Sequence, residues 1–165
     1  MRSVFLSGLI GLLSGSAASL FLFLLQWVTH LRSENPNLVF FLPIAGLLIG
    51  SLFQRYGKSV ERGNNLVIDQ ITSPTQKIPF LMTPLILLGT LLTHLFGGSA
   101  GREGTAVQMG ASLSDSLAHF FRVSPQERKR FLLAGAGSGF GAAIGAPWAG
   151  VLFGMEMIRV GRFQL

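Results

Sequence analysis

Hydrophobic residues in this chain come in long runs separated by short polar stretches. Val4–Val28, Leu38–Phe53 and Pro79–Phe96 each approach the length that crosses a bilayer as a helix, about 20 residues without tilt. Within the first run Gly8, Gly11, Gly15 and Ala18 recur at helical spacing and predict close helix packing in lipid. Ser14-Gly15-Ser16-Ala17-Ala18 imitates a signal-peptide cleavage site, but the apolar run resumes at Leu20, which favours a spanning helix over a removed leader. Trp27 and His30 then fall near a membrane interface. Leu38–Tyr56 reads as a second spanning helix whose Pro43 is tolerated because neighbouring helices satisfy the freed carbonyl. The pattern predicts an all-α, multi-span membrane protein.

The polar stretches set orientation and further helix boundaries. His30–Asn37 carries little net charge and reads as an outside loop, whereas Arg55-Lys58-Arg62 and Arg122-Arg128-Lys129-Arg130 read as inside loops under the positive-inside bias. Ser124-Pro125-Gln126-Glu127 has the form of a capping box with proline at the first helical position, so a helix starts there and runs through Ala143. Pro147 restarts the chain into Trp148–Ile158, with Glu156 inside it and Arg159 and Arg162 at its end. Asp115 and His119, four apart on one helix face, are placed to pair in a structural role. His94 is left open between a proton relay and a packed, hydrogen-bonded neighbour.

Composition sharpens this picture. Of 165 residues 49% are hydrophobic and 12% charged, against roughly 25% charged in a soluble domain. The net charge of +6 does not point to nucleic acid, because the fourteen Phe lie mostly inside the apolar runs rather than interleaved with the basic residues as stacking platforms. The absence of cysteine says little about compartment. Gly137-x-Gly139-x-x-Ala142 matches a dinucleotide fingerprint only nominally, since no strand precedes it; its small residues suit tight helix packing. No Ser/His/Asp set, metal-ligand cluster or phosphate loop converges, so an enzyme is not expected, and no cofactor or metal is implied.

The organising stretch is Gly97 to Gly110, a glycine-rich turn carrying the lone pair Arg102-Glu103 between apolar flanks. An ionisable side chain at membrane depth costs about 2.5–3.5 kcal/mol or more and is usually kept for ion or proton movement. Glu103 is therefore read as working on a permeating ion. Gly97, Gly98, Gly101 and Gly104 let the backbone approach a ligand, and Gly104–Ser116 reads as a helix starting just after the turn. The unpaired N–H groups and positive dipole end of such a helix make an anion site. A carboxylate beside it can occupy the site when ionised and vacate it when protonated or displaced. Gly63-Asn64-Asn65 leaves two readings open: an ordinary loop with an Asn cap leading to a short helix, or a half-helix aimed at the same ion, as in transporters built from broken helices.

Gly101-Arg102-Glu103-Gly104, then Ala106–Gly110, Ala134-Gly135-Ala136-Gly137 and Gly145-Ala146-Pro147-Trp148-Ala149-Gly150-Val151-Leu152-Phe153 closely resemble the CLC family of chloride channels and anion/proton antiporters. The specific motifs cover Gly63 to Arg159; upstream the resemblance is one of helix pattern. It implies homodimers whose subunits each hold an anion pathway built from two inverted repeats of broken helices. It makes Glu103, which matches the glutamate of the GREGP motif, the outer gate and proton acceptor. The GSGIP motif would fall on Gly63-Asn64-Asn65-Leu66-Val67, with Asn64 in the place of the anion-contacting serine. Thr105 replaces the GREGP proline, and the inner proton-transfer glutamate of chloride antiporters would fall on Met157, with Glu156 beside it. These departures resemble the fluoride-exporting branch, and the Asn64 amide can donate to a small, strongly hydrated anion.

Residues 1–165 are then read as one transmembrane domain, the first repeat of a CLC-type fold without the second. The expected function is anion transport, fluoride/proton antiport before chloride transport, in an integral protein of a bacterial plasma membrane. The anion would be held by backbone at Gly63, Asn64, Asn65, Gly101, Arg102, Gly104 and Thr105 and gated by Glu103. The expected partners are the lipid bilayer, a small halide (fluoride or chloride) and protons, and either a second copy in a homodimer or a complementing C-terminal half; no nucleic acid is expected. The alternative is a truncated, non-transporting fragment or assembly subunit.

Overall fold

The computed structural model describes residues 2–160, and every regular element among them is a helix; the expected basic residue Arg162 lies outside the described residues. The helices are α1 (Arg2–Glu34), a short 3₁₀ helix (Pro36–Phe41), α2 (Leu42–Tyr56), α3 (Asn64–Thr72), α4 (Met82–Leu95), α5 (Arg102–Phe120), α6 (Pro125–Ile144) and α7 (Pro147–Val160). Two stretches among the described residues are long and apolar enough to cross a membrane, Ser3–Glu34 and Pro36–Tyr56. The third expected span is shorter: α4 has 14 residues, about 21 Å of helix against a hydrocarbon core of about 30 Å.

The second apolar run is not one α-helix. It turns as 3₁₀ up to Phe41 and restarts at Leu42, whose N–H bonds the Val39 carbonyl. Pro43 therefore lies in the first turn of α2, where a backbone N–H has no intrahelical acceptor to lose. The proline needs no rescue by neighbouring helices, contrary to the expectation above. Leu47 and Leu48 of α2 are exposed, and Ala45 is its one buried residue among those described, so its apolar surface is left for lipid.

α5 and α6 pack backbone to backbone. A Cβ on Gly110 would run into the Gly135 carbonyl, and one on Gly139 into the Ala106 carbonyl; the glycines are what let the two helices touch. α7 closes on α6 the same way, through Gly137 and Gly150. α6 starts as its sequence predicts: the Ser124 hydroxyl accepts from the Glu127 N–H at 3.3 Å, and the Glu127 carboxylate accepts from the Ser124 N–H at 3.3 Å. It ends on Gly145 in the left-handed region, φ 69°, a conformation glycine adopts without strain. Val67, Ile71, Ile78, Met82, Val107, Ala111, Leu132 and Ala136 form the main core between α3, α4, α5 and α6.

Asp115 of α5 is fully buried. Its carboxylate accepts from Arg128 Nε at 2.6 Å, Arg128 Nη2 at 3.0 Å and the Ile78 N–H at 2.7 Å. His119 stands beside it, Nδ1 at 3.6 Å from Asp115 Oδ1 but nearer, at 2.8 Å, to the Asp115 backbone carbonyl. The expected Asp115–His119 pair is thus secondary to the Arg128 pair.

Candidate functional site: two helix starts around one cavity

α3 starts at Gly63, with φ 53° and ψ −125° and no side-chain capping bond. The expected Asn cap is not formed. The positive φ at Gly63, which glycine adopts without penalty, turns the chain so that Asn64 is the first helical residue. α5 starts at Arg102, two residues earlier than expected, with Gly101 as its N-cap, so Arg102, Glu103 and Gly104 form its first turn. Glu103 therefore sits at the positive end of the helix dipole, where a carboxylate is favoured.

The two starts meet. Asn64 Nδ2 lies 3.1 Å from the position a Cβ on Gly104 would take, and the Gln108 carboxamide lies 3.4 Å, through Oε1, from the corresponding position on Gly63. Between them is a cavity of about 300 Å³ lined by Asn64, Glu103 and Gly104 on its polar side and by Ile68, Val107, Phe140, Phe153 and Met157 on the other. Phe140 of α6 and Phe153 of α7 stack with centroids 4.3 Å apart. A space with one carboxylate, one carboxamide and apolar aromatic walls can hold a small ion stripped of part of its water.

The expected donors divide into two groups. The Gly63 N–H bonds the Val60 carbonyl at 2.9 Å, the Asn65 N–H bonds the Arg62 carbonyl at 3.0 Å, and the Thr105 N–H bonds the Gly101 carbonyl at 3.3 Å. These three N–H groups are committed within the backbone. The N–H groups of Asn64, Arg102, Glu103 and Gly104 have no backbone acceptor among the described residues. Gly101, Arg102 and Asn65 are exposed and stand outside the cavity wall. The Thr105 hydroxyl donates to the Gly101 carbonyl and pairs with Thr90 Oγ1, both at 2.9 Å, so it fastens the start of α5 to α4 and is turned away from the cavity.

Arg62, just before α3, is neutralised by Asp69 at 2.5 Å. His94 bonds the Thr90 carbonyl through Nδ1 at 2.9 Å. Sequence reasoning missed Gln108 and the aromatic wall. Gln108 carried a usable signal, one helical turn after Gly104 on the same face. Phe140 and Phe153 carried none, because only the folding of α6 and α7 onto α3 brings them here. Met157, which the resemblance aligned with an inner glutamate, lies in the same wall.

A second, larger groove of about 760 Å³ runs between α1, α6 and α7 past Gly11, Gly15, Gly137, Gly141 and Gly150, with Arg130 at its edge. It holds no carboxylate and is separate from the cavity at the helix starts.

Comparison with known proteins agrees with this architecture. The family model described as voltage gated chloride channel matches residues 45–165. A chloride/fluoride channel protein of Pseudomonas syringae pv. tomato is 46% identical over 159 residues, 96% of this chain and 35% of that protein. An H(+)/Cl(-) exchange transporter ClcA of Vibrio vulnificus is 28% identical over 170 residues, 94% of this chain and 36% of that protein. Among solved structures, a CLC-type fluoride/proton antiporter superposes with a TM-score of 0.89 at 36% identity, over 94% of this chain and 39% of that one. The chain thus spans little more than a third of the length of these relatives, and its fold is that of the first repeat of the CLC architecture. With the family model covering most of its length, the chain belongs to the voltage gated chloride channel (CLC) family, and the relatives named for fluoride place it with that family's fluoride branch.

Proposed function

We propose that this chain forms one half of the anion pathway of a fluoride/proton antiporter in a bacterial plasma membrane, with Glu103 as gate and proton acceptor. The observation that carries this reading is the cavity in which the start of α3 and the start of α5 face one another across Asn64, Glu103 and Gly104. The uncommitted N–H groups of Asn64, Glu103 and Gly104, with the Asn64 carboxamide, form the anion-facing donor set. Ionised, Glu103 competes with the anion for these donors. Protonated, it loses its attraction to them and yields the place to the anion, which couples anion movement to proton movement. Fluoride is favoured over chloride because a carboxamide donor compensates a strongly hydrated anion for lost water, and because relatives named for fluoride share this half. The functional unit is a homodimer in which a second repeat completes each pathway.

The experiment is fluoride and chloride efflux from liposomes containing this chain, with and without a supplied second repeat, comparing wild type with Glu103→Gln. Proton-coupled fluoride flux that disappears in Glu103→Gln is the expected result. Chloride-preferring flux would overturn the fluoride assignment. No flux under either condition would overturn the transport reading.

A further inference from the structure

We propose that the buried pair Asp115–Arg128 is a positioning device for the anion site, setting the height of α3 along α5 and so the spacing of Asn64 from Glu103. The inference rests on the reading of the cavity just given.

A continuous hydrogen-bonded relay ties the far end of α3 to α5 and α6. Gln70 of α3 is buried, 1% exposed, and its Oε1 accepts the N–H groups of Thr75 at 3.1 Å and Gln76 at 2.9 Å. The Gln76 carbonyl accepts from Arg128 Nη2 at 2.8 Å. Arg128 grips Asp115 through Nε and Nη2, and Asp115 also accepts the Ile78 N–H. Residues 73–78 are thereby fixed to α3 on one side and to α5 and α6 on the other. α3 meets α5 at both ends: at its start Asn64 lies close against Gly104 and Gln108 close against Gly63, and at its finish this relay fastens it.

The chemistry of the pair fits positioning better than stability. A buried ion pair roughly breaks even against an apolar pair of similar volume, because desolvation offsets the attraction. What an apolar pair cannot supply is the geometry of a planar guanidinium fork that holds a carboxylate and a carbonyl at once. Asp115 lies twelve residues along α5 from Glu103, about 18 Å, so it touches no ion in the cavity and acts only through α3.

The test replaces both charges together, Asp115→Leu with Arg128→Met, so that no unpaired buried charge remains. This cysteine-free chain accepts spin labels at Asn65→Cys on α3 and Arg102→Cys on α5, and their separation is measured in labelled protein with and without the double substitution. Half-saturating fluoride for efflux is measured in parallel, with the second repeat supplied. The expected result is a shifted or broadened label distance and a roughly 2- to 30-fold rise in half-saturating fluoride, while the thermal midpoint stays near that of the unsubstituted protein. An unchanged distance and an unchanged half-saturation overturn the proposal, as does a lowered midpoint with wild-type half-saturation, which is the mark of a structural role alone. Should the double variant fail to fold, Arg128→Lys keeps the cation on Asp115 but removes the fork to Gln76; a moved label distance with raised half-saturation then supports the proposal, and wild-type values of both overturn it. If the unsubstituted protein carries no anion, the transport reading fails while the label distance still decides the relay.

Discussion

The Asn64 carboxamide nitrogen stands 3.1 Å from where a Cβ on Gly104 would be, so the side chain that starts one half-helix rests on the backbone that starts the other. Gly104 is in the first turn of α5 with an ordinary negative φ, and alanine there gains helix propensity of up to about 1 kcal/mol. The added methyl asks only the flexible Asn64 side chain to move. Gly104→Ala is therefore expected to leave the thermal midpoint unchanged or slightly raised while weakening anion binding. Thermal unfolding in detergent and fluoride efflux on the same preparation check this; a wild-type anion dependence would remove the Asn64–Gly104 contact from the site.

Backbone contacts between α5 and α6 predict the opposite behaviour. A Cβ on Gly139 meets the Ala106 carbonyl, and one on Gly110 meets that of Gly135; neither backbone can give way as a side chain can. Gly139→Ala is expected to cost about 1–3 kcal/mol of stability or more, the usual range for overpacking. Its thermal midpoint compared with that of Gly104→Ala reads the difference directly.

The start of α6 offers a smaller, local effect. Ser124→Ala removes the acceptor of the Glu127 N–H and is expected to cost about 0.5–2 kcal/mol, as N-cap losses do. Denaturant unfolding of the variant measures it, and an unchanged midpoint would show that the cap contributes nothing in lipid or detergent.

Two ion pairs separate surface from interior. Asp115→Asn leaves Arg128, whose side chain is 12% exposed, without its counter-charge, and an unpaired buried charge costs about 3–5 kcal/mol. Asp69→Asn removes a pair whose side chains are 62% and 31% exposed, for which about 0–1 kcal/mol is expected. Unfolding midpoints of the two single variants should therefore differ several-fold in their displacement from wild type.

How much of the fold and site is legible in the sequence follows from the range of the interactions. The start of α6 is readable because all its parts lie within Ser124–Glu127. The setting of Pro43 is not, because an apolar run does not distinguish a 3₁₀ turn followed by a restart from one long helix. Asparagine is not the cap of α3, because the conformation of Gly63, rather than the chemistry of its neighbour, turns the chain. At the site, Glu103 and Gly104 are legible from a lone charge and a glycine-rich helix start between apolar flanks, whereas Asn64 as an anion-facing residue comes from the motif resemblance, and its approach to Gly104 is one of two readings that the sequence leaves open. Helical spacing offers His119 to Asp115, whereas its main partners, Arg128 and the Ile78 N–H, are 13 and 37 residues away, beyond any periodicity.

The length of α1 carries a consequence of its own. At 33 residues it measures about 50 Å, well beyond a hydrocarbon thickness of about 30 Å, so it crosses at a slant or reaches into the headgroups. It is tied to the other helices at two heights: in the interior Ser14 Oγ lies 3.5 Å from the Gly110 carbonyl on α5, and at the surface Ser3 Oγ donates to Glu127 of α6 at 2.8 Å. Lipids with shorter acyl chains oblige such a helix to lean further, and whatever it is fastened to leans with it. The thickness of the surrounding bilayer thus becomes a mechanical input to the helices that frame Glu103.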